Sequence, residues 1–100
     1  MVSMYTEKYR NLIHITHSIL VSIQELASNL LNKEVKLVTK ENKYLCVVDG
    51  IIMLIVEGGL VYTYFDKVGL KVPERIALGH LAKSLQFTIS ESNKDLENQK

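Results

Sequence analysis

Between Tyr44 and Phe65 the chain reads YLCVVDG, IIMLIVEGG and LVYTYF. These are three apolar runs rich in β-branched and aromatic residues, punctuated by Asp49-Gly50 and Glu57-Gly58-Gly59. Such residues suit a pleated sheet surface, and an Asp-Gly pair readily adopts the two positive φ angles of a two-residue hairpin. The block predicts three strands, Tyr44–Val48, Ile51–Val56 and Leu60–Phe65, joined by tight turns. A membrane span needs about 20 predominantly apolar residues in succession. It would also draw Asp49 and Glu57 into the bilayer, at roughly 2–3 kcal/mol each. The strand reading is favoured on both counts.

A chain of 100 residues has room for one domain with a modest core. Twelve Lys and Arg against eleven Asp and Glu leave a net charge of +1. That balance gives no global electrostatic reason to bind nucleic acid or anionic lipid. Cys46 is the single cysteine, so no intrachain disulfide can form, and a reducing, cytoplasmic setting is expected. In a strand beside Tyr44 and Val48, its thiol serves as a small apolar side chain. No basic stretch followed by an apolar block and a small-residue cleavage site opens the chain, so no secretory leader is expected.

Upstream, Tyr5, Tyr9, Leu12, Thr16, Ile19, Ile23, Leu26 and Leu30 recur four and three apart. They predict a helix from about Thr6 to Asn32 with one apolar stripe, widened by Ile13, Leu20, Ala27 and Leu31. A helix of about 27 residues is ~40 Å long, more than a small sheet can cover. Ile15 and Val21 fall outside the stripe, so part of this helix is expected to meet a second copy. Val35–Lys40 predicts the first strand of a four-strand meander, with lysines at a sheet edge. Ile51–Val56 is apolar at every position, as in a central strand covered on both faces.

After a loop with Gly69 as pivot, Pro73 fits the start of a helix and Glu74 its positive end. Ala77, Leu78, Leu81, Ala82 and Leu85 form the sheet-facing stripe, while Ile76, His80 and Lys83 face away. Phe87 and Ile89 suggest a short extended piece, and 90–100 a polar tail after a single domain spanning 1–89.

The chemistry of an enzyme is not legible. No phosphate-binding loop, dinucleotide fingerprint or H-E-x-x-H occurs. His14 and His17 are one turn apart, but His80 is the only other histidine, and no acidic or thiol cluster completes a metal set. Catalytic residues, metal and cofactor are therefore all expected to be none. The run Ile76–Ser90 resembles the first helix and turn of a helix-turn-helix, with 90–98 as recognition helix. Glu91, Asp95 and Glu97 against Lys94 disfavour it beside phosphates. A small DNA-binding regulator is the alternative reading, and nucleic acid is not the expected partner.

Ile51–Tyr62, an apolar strand reaching an acidic Gly-Gly turn and a Leu-Val return strand, resembles the first hairpin of the roadblock (dynein light chain) and longin-like family. The long helix with Val35–Lys40, Tyr44–Val48 and Ile51–Val56 is similar to that family's central helix and following strands. The two matches overlap on Ile51–Val56, so the order is rearranged or shortened. The resemblance implies a non-enzymatic homo- or heterodimer that scaffolds small GTPases or signalling complexes.

The sequence thus predicts an α+β fold of order α-β-β-β-β-α, working as a dimeric, non-membrane protein-interaction module. Its expected interface comprises Tyr9, Ile15, Ile19, Val21, Ile23, Tyr62 and Tyr64.

Overall fold

The structure, a computed structural model, describes the backbone of residues 4–97 and the side chains of residues 10–92 and Lys94. Helix α1, Met4–Leu31, leads into strands β1, Lys36–Lys40, β2, Lys43–Val48, β3, Ile51–Glu57, and β4, Leu60–Thr63. A 3₁₀ turn at Phe65–Lys67 then feeds helix α2, Val72–Glu97. The strands form one antiparallel meander in the order β1-β2-β3-β4. The α-β-β-β-β-α order expected from the sequence is therefore the observed one.

Local chemistry sets the corners. Asp49 and Gly50 have φ of 52° and 76°, and Gly58 and Gly59 have 62° and 79°, the paired positive angles that match strand twist in two-residue hairpins. Helix α1 stops at Asn32, whose φ is 54°, while the Lys33 N–H reaches back to the Ser28 carbonyl at 3.3 Å. That left-handed residue with a six-to-one bond is a Schellman ending, supplied here by asparagine. At the start of α2, Glu74 Oε1 accepts the Lys71 N–H at 2.7 Å, the carboxylate half of a capping box.

The two helices lie side by side on one face of the sheet, α1 toward β1 and α2 toward β4. Each presents a seam at four-three-four spacing: Thr16, Leu20, Ile23 and Ala27 on α1, and Leu78, Ala82, Leu85 and Ile89 on α2, all buried. Cys46, Val48, Met53, Leu54 and Val56 meet them from the sheet, and Phe65, Val68 and Leu70 close the core at its open end. Fully burying each large aliphatic side chain contributes about 1.5–3 kcal/mol. Strands of four to seven residues reach only ~14–24 Å, whereas the 28 residues of α1 extend ~42 Å. The molecule is accordingly elongated, 48 × 23 × 18 Å.

Several sequence expectations are corrected. Phe87 and Ile89 are not extended. They lie within α2, because Ile89 is 5% exposed in the seam begun by Leu78 and tertiary burial outweighs their β propensity. The helix continues through Ser90–Glu97, so the 1–89 boundary does not mark the end of ordered secondary structure; 98–100 lie outside the described residues. Phe65 belongs to the 3₁₀ turn rather than β4, and Val35, 3% exposed, is a core residue ahead of β1. Ala77 is exposed, outside the seam. Among the described residues, β3 is covered on one face only, by the helices.

Candidate functional site

The register shows what lies on the uncovered side. Val38 pairs with Leu45, Leu45 with Ile55, and Ile55 with Tyr62. This row crosses all four strands, and none of its members joins the helix-side core cluster. Leu45 is 9% exposed, screened by the side chains beside it in the row, while Tyr62 at the edge is 43% exposed. Antiparallel sheets that face water on one side ordinarily alternate apolar inward with polar outward. Here the outward positions of this row are apolar too.

A bulge shapes the second row. Cys46 pairs with Leu54 but Val47 with Ile52, so Met53 is skipped. Met53 and Leu54 are both 0% exposed, as happens when two consecutive residues at a bulge turn to the same side. Alternation then resumes one step out of phase. Ile52, 39% exposed, emerges on the outer face beside Val47. Tyr64 extends this row, its N–H donating to the Met53 carbonyl at 2.8 Å.

The third row is Lys40, Lys43, Glu57 and Leu60, with Lys43 Nζ 3.7 Å from Glu57 Oε2. With Lys36 opposite Val47, the face has a lysine-bearing margin along β1 and a margin of Leu60, Tyr62 and Tyr64 along β4. Contiguous apolar surface of a few hundred Å² rimmed by charge marks interaction sites on soluble proteins.

The residues expected at an interface are divided by the structure. Tyr62 and Tyr64 belong to the outer sheet face. Ile15, 44% exposed, lies on the solvent side of α1 with Ile13 at 43%. Ile19 and Val21 are half-buried on that helix, and Ile19 packs against the chain's own core. Ile23 is 0% exposed inside that core; it supports the fold and presents no surface, because α1 turns it toward the sheet. Tyr9 lies outside the residues whose side chains are described. The residues that sequence reasoning missed are Val38, Leu45, Val47, Ile52 and Ile55. Strand alternation could have assigned them to one face, but not shown that face to be bare.

Among the described residues no group of three or more His, Cys, Asp or Glu could hold a metal, and His14, His17 and His80 are all exposed. The hollow between β4 and α2 has Lys83 as its one charged lining group. Burial pushes the Cys46 thiol up to about 11, away from nucleophilic use. The continuous α2 contains no turn between Ile76 and Glu97, which a helix-turn-helix requires. No helix among the described residues is long and apolar enough to cross a membrane. Comparisons with protein-family models, with curated proteins and with solved structures find no match.

Proposed function

We propose that this chain is a non-enzymatic protein-interaction module of the cytoplasm, an adaptor that associates with other proteins through the outer face of its sheet. The observation that carries this reading is the apolar row Val38–Leu45–Ile55–Tyr62 crossing all four strands with no element of the described residues over it. Tyr62 at 43%, Ile52 at 39% and Leu60 at 51% exposure leave apolar surface of this face in water, and covering it favours association. Exposed Ile13 and Ile15 on α1 offer a second, smaller contact. Service to a small GTPase is the more specific form of the reading and rests on the roadblock-like resemblance alone.

The test is affinity capture from native extract with wild-type and Tyr62→Asp baits of matching circular dichroism. Identified proteins captured by the wild type, lost with Tyr62→Asp and recovered in reverse capture, support the reading. Equal capture by both baits refutes the assignment to this face.

A further inference from the structure

We propose that the outer sheet face is covered by a second copy of this chain, in a two-fold sandwich whose axis runs parallel to the strands. The proposal rests on the reading of this face as an interaction surface and specifies its occupant.

The argument comes from the distribution of charge. Lys36 and Lys40 sit on β1, Lys43 on β2, Glu57 on β3, and no charged side chain on the outward positions of β4. Two copies of one face can be brought together around a two-fold axis lying between them in two simple ways. With the axis across the strands, β1 covers β1 of the other copy. Lys36 of each copy then lies over Lys40 of the other, and the like charges repel in a drying interface. With the axis along the strands, β1 covers β4 and β2 covers β3. Lys43 of each copy then faces Glu57 of the other, twice by symmetry. Leu45 lies over Ile55 and Val47 over Ile52, while Lys36 reaches the Tyr64 ring, an arrangement that favours cation–π contact, and the stem of Lys40 lies over Leu60. The pattern is self-complementary in the second arrangement and self-repelling in the first.

Dimensions agree. Aligned sheets pack ~10 Å apart within about 30° of parallel, a gap that opposed Lys and Glu side chains span together. Lys43 and Glu57 retain 41% and 55% side-chain exposure, so neither is committed to the chain's own core. Four strands ~4.8 Å apart, each about six residues long, make a face of roughly 19 × 20 Å. Two such faces cover roughly 760 Å² between them in projection, which places the contact at the small, weak end of specific interfaces. A dimer with micromolar affinity is the consequence.

Sedimentation equilibrium of the full chain, wild type against Lys43→Glu and Glu57→Lys, provides the test. Wild type dimerises in the micromolar range, and each reversal weakens self-association about tenfold or more. Mixing the two variants restores dimerisation, because both intermolecular pairs are then opposite in charge. The pair within each chain, Lys43–Glu57 at 3.7 Å, remains like-charged in both variants after mixing, so it cannot produce the rescue. A mixture that associates no better than its components overturns the proposed orientation. A wild-type chain that stays monomeric at high micromolar concentration overturns the second copy as occupant. If the Tyr62-dependent capture described above still holds, the face serves a different protein. If the monomer instead sediments with anionic vesicles through Lys36 and Lys40, the occupant is lipid, which also overturns the proposal.

Discussion

Gln86 on α2 accepts the Val61 N–H at 2.8 Å, and its amide nitrogen donates to the Gly59 carbonyl at 2.9 Å. One side-chain amide thus occupies an outward donor of edge strand β4 and the carbonyl of the turn residue just before it, as a neighbouring strand would. Gln24 on α1 donates to the Val35 carbonyl at 2.7 Å, at the opposite margin of the sheet. Each helix therefore grips one side of the sheet with a glutamine. Edge strands with free backbone groups invite pairing with other chains, and this arrangement closes part of that edge. Gln86→Leu leaves the Val61 N–H without its partner and is expected to cost about 1–3 kcal/mol. Urea unfolding measures the loss, and amide exchange at Val61 should accelerate more than at Leu54.

Gly79 and Gly50 make a paired prediction. A Cβ at either position meets nothing within 4 Å, so space does not distinguish them; backbone conformation does. Gly79 lies within α2, where glycine is less favourable than alanine, and Gly79→Ala should stabilise by ~0.5–1 kcal/mol. Gly50 has φ of 76°, and Gly50→Ala should destabilise by about 1 kcal/mol. Thermal unfolding of both variants should shift by several degrees in opposite directions.

Cys46 is 0% exposed, and burial raises its thiol from the usual 9.0 to about 11. The native chain should resist thiol reagents at neutral pH and react only as fast as it unfolds. The neutral thiol is favoured in the folded state, so its contribution is complete below pH 9 and is lost as pH rises from about 9 through about 11, on the order of 2 kcal/mol. Cys46→Ala loses some packing at every pH, and its stability should fall less steeply across that window than the wild type's.

Core and surface substitutions should separate cleanly. Leu85→Ala removes a fully buried side chain from the α2 seam and should cost about 2–5 kcal/mol. Lys33→Ala breaks a 2.7 Å pair with Asp49 whose side chains are 53% and 61% exposed. Its effect should stay below about 1 kcal/mol. Chemical denaturation of the two variants checks both values.

The strands and hairpins were legible because Asp49-Gly50 and Gly58-Gly59 are local signals, readable without knowing what packs where. The stripe of α1 was legible for the same reason, since its spacing is periodic. Past Leu85 the apolar period of α2 thins to Ile89 and Leu96 amid mostly polar residues, and the burial of Ile89 in the core explains why the helix continues through it. The bulge at Met53 left no residue-type signature, since methionine, isoleucine and leucine all fit either side of it. The candidate site was hidden by the same ambiguity. An unbroken run such as Ile51–Val56 reads identically whether its second cover is a helix of its own chain or another molecule. The tyrosines were identifiable because phenolic tips mark a half-wet position.

Met53 is passed over by β2 yet gives its carbonyl to Tyr64 at 2.8 Å, so the two halves of the meander run out of step at that point. A skipped residue tightens the local right-handed twist, and twist accumulated over four strands warps a sheet into a saddle. A plane laid against a saddle touches only along narrow zones, whereas a surface of matching curvature makes contact throughout. The irregularity in β3 thus restricts what can cover the whole of this surface to something curved in the same sense.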